Sequence, residues 1–330
     1  MKIRVPEYFK DFKCIADKCK DSCCIGWEID VDDDAKAKYE AMNTALGSEI
    51  IEKTSHGYFP LQENGRCVFL KENGLCRIIC EAGEEYLCDI CREHPRYYNV
   101  SVGATEGGIG LGCEEAARII TQLRELPKLV EVEHTAPLLE EDGFSELTAR
   151  IRDELFSLIF LENVNDIAKL YLKYAALGDQ MAFDMITSSE VKAELPTLTV
   201  GGVSSDEIRE KYLSMLELFK ECEALDEDLW SRYIEDISRI GVQEILTTLN
   251  AHKGLLYYFT HRYVVGGIED MTLGERILFA LIAPMTVAAL SMTDSFNTKN
   301  GSPIIEAAVA FSKNIEYSNE NIDFIFSAEM

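Results

Sequence analysis

Basic residues are scarce in this 330-residue chain: 32 Lys and Arg stand against 58 Asp and Glu, a net charge of −26. Non-specific nucleic-acid binding runs on cations that neutralise phosphates, so this balance disfavours it. A long apolar run is also lacking. The longest, Ile277 to Met292, has sixteen residues with Pro284 inside it, short of the roughly 20 that a membrane helix needs. It reads as a buried helix, and no membrane insertion is expected. The opening stretch, MKIRVPEYFKDFK, has no apolar h-region, so a secretory signal is not expected and the reducing cytoplasm is the expected location. No repeat of fixed period, low-complexity tract or long linker interrupts the chain.

What is present is sulfur. Ten of the eleven cysteines lie within the first 113 residues: Cys14, Cys19, Cys23, Cys24, Cys67, Cys76, Cys80, Cys88, Cys91 and Cys113. A disulfide framework calls for an oxidising compartment and a small, core-poor domain. With 47% hydrophobic residues the chain can build ample cores, and its length suggests two domains. Available thiols at this density point to a metal or iron–sulfur centre.

The two halves read differently. Residues 1–113 carry fourteen Lys+Arg and twenty Asp+Glu, net −6, leaving −26 − (−6) = −20 for residues 114–330. The first half alternates short elements with turns: a strand over 27–31, a helix over 35–53 capped by Asp32, Asp33 and Asp34, and a strand over 97–102. Segments 67–70 and 75–79 flank Lys71-Glu72-Asn73-Gly74, whose Asn-Gly predicts a hairpin that holds Cys67 near Cys76. From Glu114 the period becomes 3.6, with helices expected over 114–126, 144–162, 164–177, 205–224, 226–239, 242–264, 272–292 and 302–316, and breaks at Gly201-Gly202, Gly266-Gly267 and Asn300-Gly301. The expected architecture is mainly α, with a small cysteine-rich α+β N-terminal lobe over residues 1–125 and a helical C-terminal lobe over 126–330.

Cys14-x4-Cys19-x3-Cys23-Cys24 is the sharpest local signal, because thiolates are soft ligands for zinc and iron–sulfur centres and short spacings let one loop present several of them. Adjacent Cys23 and Cys24 do not easily address one centre, and no single centre needs more than four thiolates, so either two centres exist or some cysteines are bystanders. A zinc ribbon predicts two CxxC knuckles, and only Cys88-x2-Cys91 has that spacing. The radical S-adenosylmethionine spacing Cys-x3-Cys-x2-Cys fails at Gly26. An iron–sulfur cluster fits these gaps better than zinc, which remains the alternative.

Four segments, FKCIADKCKDSCCIGWEID (12–30), RCVFLKENGLCRI (66–78), YLCDICREHPR (86–96) and LGCEEAAR (111–118), resemble the flagellin lysine-N-methylase family. Its N-terminal part is related to cysteine-cluster proteins described as zinc- or iron-chelating. The resemblance covers residues 5–120 or so. It is weaker beyond, where LLYYFTHRYVV (255–265) is similar to the family's aromatic helix but lacks the Asn-Tyr pairing and the following Phe-Pro. The resemblance implies a [4Fe-4S] cluster, S-adenosylmethionine as methyl donor and flagellin lysines as substrate. It places the metal-binding cysteines at Cys14, Cys19, Cys23, Cys24, Cys67, Cys76, Cys91 and Cys113, leaving Cys80 and Cys88 outside the pattern. It assigns no catalytic or donor-binding residue. The rival reading is a non-catalytic zinc- or iron–sulfur-binding module, structural or redox.

The remaining candidates have plainer explanations. Gly108-Ile109-Gly110-Leu111-Gly112 lacks the βαβ context of a dinucleotide site and reads as a strand leading to a helix N-terminus, where the dipole would favour a Cys113 thiolate. His94 is an optional ligand, more simply a packing or hydrogen-bonding residue, and His56, His134, His252 and His261 show no pairing. Trp27 is placed to cover the cluster. Tyr97, Tyr98, Tyr257 and Tyr258 are optional channel or base residues, more simply core, and Cys222 reads as a small buried hydrophobe.

Overall fold

The computed structural model describes all residues except 1, 102–103, 135–145, 188–194, 268–269, 297–300 and 329–330. It is mainly α-helical with a small α+β N-terminal part, as expected. In chain order come β1 (Lys2–Pro6), α1 (Tyr8–Asp11), β2 (Ile29–Asp30), α2 (Asp33–Ala41), α3 (Ala45–Lys53), β3 (Tyr58–Phe59), α4 (Arg77–Glu81), α5 (Asp89–Glu93), β4 (Arg96–Ser101), β5 (Ala104–Ile109), α6 (Glu114–Thr121) and β6 (Leu129–Glu133). Then follow α7 (Glu146–Ile159), α8 (Val164–Thr187), α9 (Ser205–Glu221), α10 (Glu227–Ser238), α11 (Val242–Asn250), α12 (Gly254–Tyr263), α13 (Leu273–Leu290), α14 (Pro303–Phe311), a π-helical turn (Ser312–Glu316) and α15 (Asn319–Ser327).

Several expected elements are cut or reshaped by local chemistry. The helix over 35–53 becomes two, because Thr44 caps a new start by accepting from Gly47 N (3.1 Å), while Asp32 caps α2 by accepting from Ala35 N (2.8 Å). The 71–74 turn forms, with Lys71 N bonded to Leu75 O and a bridge between Leu70 and Cys76, but its second arm turns into α4 at Arg77. The 27–31 strand shrinks to Ile29–Asp30, paired with Tyr58–Phe59. Helix 242–264 breaks at 251–253 into α11 and α12, and 302–316 ends in the π turn. Residues 144–145, Asn300 and Val102 of the expected elements lie outside the described residues.

The four-stranded sheet has the order β4-β5-β1-β6. β1 pairs parallel to β5 and antiparallel to β6, and neither β1 nor β6 was expected from the sequence. β4 and β5 form an antiparallel hairpin that sets Tyr97 opposite Gly108 and Tyr98 opposite Gly107. Each tyrosine ring lies across its glycine, and a Cβ on Gly108 would stand 2.4 Å from the Tyr97 ring. The glycine run thus accommodates aromatic rings, not a phosphate.

The apolar interior falls into two clusters. The larger joins Tyr8 and Phe12 of the N-terminal segment, Ile109, Leu111 and α6 to the helices from α7 to α15. The smaller, a satellite of ten buried residues, gathers Ile29, Tyr39, Ile50, Phe59, Phe69, Ile78, Leu87 and Cys88, among others. Within the larger cluster α13 packs on α8, α11, α12 and α14. By length and composition α13 is apolar enough to cross a membrane, yet 89% of it is buried inside the protein, so its hydrophobicity is spent on neighbouring helices.

Candidate metal centre

All eleven cysteines are free thiols. Seven of the eight that the family resemblance singles out line one cavity of about 780 Å³: Cys14, Cys19, Cys23, Cys24, Cys76, Cys91 and Cys113. Local structure explains their delivery. Cys14 and Cys19 flank a 3-10 turn (Ala16–Lys18), Cys76 and Cys113 sit at the starts of α4 and α6, and Cys91 lies in α5. Cys67 is off the cavity, with its main-chain N–H donated to Cys24 O (2.8 Å) and its side chain against the satellite core. Cys80 is exposed, Cys88 is buried in the satellite core, and Cys222 is buried in the larger one, as a small hydrophobe should be.

Six of these thiols, Cys19, Cys23, Cys67, Cys76, Cys91 and Cys113, are shifted towards the protonated form. Burial pushes Cys19 up to about 12, only partly offset by a backbone hydrogen bond from Asp21. Burial likewise raises Cys67 and Cys76. At Cys113 burial outweighs the N–H groups of Ala116 and Glu115 and lifts the thiol to about 11. The helix start therefore does not by itself make a thiolate there, because desolvation exceeds the dipole. Cys23 is raised, first by its hydrogen bond with Cys24, and Cys91 by its hydrogen bond with Cys88, whose own thiol is correspondingly lowered.

Among the described residues no three Cys, His, Asp or Glu side chains converge closely enough to hold a metal ion. The donor set nonetheless fits a thiophilic group in kind: seven soft ligands share one cavity with the carboxylates of Asp21, Glu84, Glu93 and Glu133. A metal or cluster would have to displace the thiol protons, so loading should release protons and weaken at low pH.

An aromatic wall borders the thiols. Trp27 and His94 both line the cavity, and Tyr317 packs on Trp27 with ring centroids 4.5 Å apart. Gly112 makes room for this arrangement, since a Cβ there would stand 1.9 Å from the Tyr317 hydroxyl. Lys313, from the π turn, places its Nζ 5.1 Å over the Trp27 ring, 2.5 Å from Asp21 Oδ1 and 3.3 Å from Ser22 O. Burial, and then Lys313, hold His94 down to about 4, and its buried Nε2 has no hydrogen-bond partner among the described residues. His94 is thus a neutral imidazole with a free ring nitrogen.

Of the four tyrosines singled out in the sequence, only Tyr98 lines the cavity, donating its hydroxyl to Glu93 Oε2 (2.9 Å). Tyr257 and Tyr258 are core, and Tyr97 packs against the core with its hydroxyl 2.9 Å from His261 Nδ1. His134 lies against Tyr98 on the cavity rim, and His252 contacts Thr121 O. Sequence reasoning missed Lys313, Tyr317 and the buried carboxylates Glu106 and Glu316. Glu316 accepts from the hydroxyls of Tyr258 and Tyr263 (both 2.7 Å). No local pattern marks these residues, because their partners are distant in sequence.

Fold and site together define a mainly α-helical protein whose cysteine-rich α+β segment gathers thiols and aromatics around one cavity. Comparison with known proteins then supplies relatives. Over 149 residues, 40% of this chain and 37% of the relative, it is 30% identical to the Lysine-N-methylase of Salmonella choleraesuis and, over the same span, to that of Salmonella typhimurium. The Flagellar biosynthetic protein FliU of Salmonella muenchen is 29% identical over 120 residues, 33% of this chain and 71% of the relative. These matches bear out the resemblance to the flagellin lysine-N-methylase family. The chain spans little more than a third of the lysine-N-methylases it matches. No protein-family profile and no solved structure matches it.

Proposed function

We propose that the protein is a cytoplasmic lysine N-methyltransferase that moves methyl from S-adenosylmethionine to lysine side chains of flagellin and depends on a [4Fe-4S] cluster held by its N-terminal cysteines. The observation that carries this reading is the cavity itself. Its volume of about 780 Å³ lies within the range of small-molecule and cofactor sites, roughly 300–1,000 Å³, and seven thiols of the family pattern share it with an aromatic wall. Four thiolates from the set Cys14, Cys19, Cys23, Cys24, Cys67, Cys76, Cys91 and Cys113 would hold the cluster, which when bound supplies iron as a Lewis-acidic and one-electron centre.

Methyl transfer needs a neutral amine: the Nε lone pair attacks the methyl carbon, the carbon–sulfur bond breaks, S-adenosylhomocysteine leaves, and the product amine sheds a proton. Free lysine, with a pKa near 10.4, is protonated at neutral pH, so the site must first bind a cation and then strip it of water and proton. Lys313 rests its own alkylammonium on the Trp27 face, Asp21 and the Ser22 carbonyl, contacts of the kind that would recognise a substrate lysine. Buried Ile29 and half-buried Leu75 give the cavity part of its apolar lining. The packing of Cys67, Cys76, Cys88 and Cys91 on the satellite core favours, as a second reading, a non-catalytic zinc- or cluster-binding module.

The test is mass spectrometry of flagellin after incubation with anaerobically reconstituted protein and S-adenosylmethionine. Single-methyl increments on lysine are expected. Unmodified flagellin in the presence of cluster-loaded protein would overturn the methyltransferase reading.

A further inference from the structure

We propose that Arg96 and Glu93 form a subsite for the α-amino carboxylate end of the methyl donor, with the Arg96 guanidinium taking the carboxylate and the Glu93 carboxylate taking the ammonium. This rests on the methyltransferase reading above and deepens it, because it assigns S-adenosylmethionine to particular side chains of the cavity.

Strand alternation presents Arg96 to the cavity. In β4, Arg96 and Tyr98 line it, while Tyr97 between them packs on the larger core. The cations Lys13 and Arg92 line it too, but Lys13 is exposed and Arg92 is engaged by Asp89 and Glu93. Arg96 is half-buried and, among the described residues, has no carboxylate partner.

Two rings hold this guanidinium ready. Its carbon lies 5.4 Å from the Phe9 ring centroid and 5.6 Å from that of Phe12, and Phe12 is itself buried. Rings at that range attract the cation and take it partly out of water, without providing the acceptors that its N–H groups need. A planar fork of donors so placed suits a carboxylate, which it can grip through two parallel hydrogen bonds.

The opposite charge stands close by. Glu93 Oε2 accepts from the Tyr98 hydroxyl at 2.9 Å, and its Oε1 is 3.6 Å from Arg92 Nε. Burial and then Glu93 raise the Tyr98 hydroxyl above its ordinary value, whereas Arg96 lowers it, so both charges act on the same group. Glu93 and Arg96 nevertheless make no ion pair with each other. Opposite charges that face one cavity unjoined complement a ligand that carries –COO⁻ and –NH₃⁺ on a single carbon. A phosphate would meet the Glu93 carboxylate, and a lysine side chain would leave Arg96 without a counter-charge. The methionine part of S-adenosylmethionine ends in the required pair.

The experiment is titration calorimetry of anaerobically reconstituted protein with S-adenosylhomocysteine, which keeps the amino-acid end, and with methylthioadenosine, which lacks it. Wild type should bind S-adenosylhomocysteine about tenfold tighter or more. Arg96→Met and Glu93→Gln should each weaken S-adenosylhomocysteine by about 10–100-fold, the range of a hydrogen bond to a charged group, and leave methylthioadenosine unchanged. Lys13→Met should change neither. Equal weakening of both ligands, or a selective loss in Lys13→Met with none in Arg96→Met, would overturn the proposal. So would wild type that binds the two ligands equally well, a result that leaves the methyltransferase reading intact and decides even where a variant fails to fold. Wild type that binds neither would overturn both.

Discussion

Glu106 on β5 shows how single residues join the sheet to the helices. It is 1% exposed and meets Arg152 of α7 in two contacts, 2.8 and 3.2 Å, with Arg4 of β1 at 2.5 Å. Burial works against its charge, yet Arg152, then His261 and Arg4, hold the carboxyl below its usual range. His261 is itself held down to about 4 by burial, so it is neutral at pH 7 and its 3.8 Å contact with Glu106 is not an ion pair. Removing one partner of such a pair strands the other charge in a dry interior. Glu106→Ala should therefore cost about 3–5 kcal/mol, read as a lowered urea midpoint with an unchanged m-value. Nothing in the local sequence ATEGGI marks this role, because Arg152 lies 46 residues away.

At the scale of elements, α12 and α13 show where periodicity informs and where it stops. The apolar run in α13 correctly announces a buried helix, and the aromatic spacing of α12 correctly announces a core one. Which rings meet is a matter of packing. Phe279 on α13 touches Phe219, Phe259, Tyr263, Phe311 and Phe326, at centroid distances from 4.9 to 6.5 Å. These five rings come from four other helices, so Phe279→Ala should remove about 3–5 kcal/mol, measured by chemical denaturation. Reading 242–264 as one helix failed because 3.6-residue periodicity continues across the tight turn at 251–253. The second hairpin arm failed because a bridge at Leu70 and Cys76 satisfies the turn, after which the main chain is free to wind into α4.

For the whole molecule, the many neutral, buried titratable groups set a pH window. Cys19 and Cys113 have folded values of about 12 and 11 against 9 for an ordinary thiol, so in the chelator-treated protein the unfolded chain gives up these protons first as pH rises. Their contribution is complete below about pH 9 and is lost as pH climbs through the folded values. His94 and His261, both held to about 4 against 6.5, act oppositely: the unfolded chain takes up protons first as pH falls. Their contribution is complete above about pH 6.5 and fades towards pH 4. Thermal unfolding of chelator-treated protein should thus give a highest Tm between about pH 6.5 and 9, falling on both sides. A Tm that keeps rising beyond pH 10 would contradict the burial of these thiols.

Composition and spacing alone determined the mainly α class, the buried apolar helix and the concentration of thiols in the first third of the chain. Such properties are local, because periodicity and ligand density can be read within a short window. Only the tertiary structure decided which thiols share the cavity, which rest on the satellite core, and that Lys313 and Tyr317 complete a wall begun by Trp27. The Lys313–Asp21 contact spans 292 residues. Contacts of that separation depend on how the sheet and helices stack, and no short-range pattern carries that information.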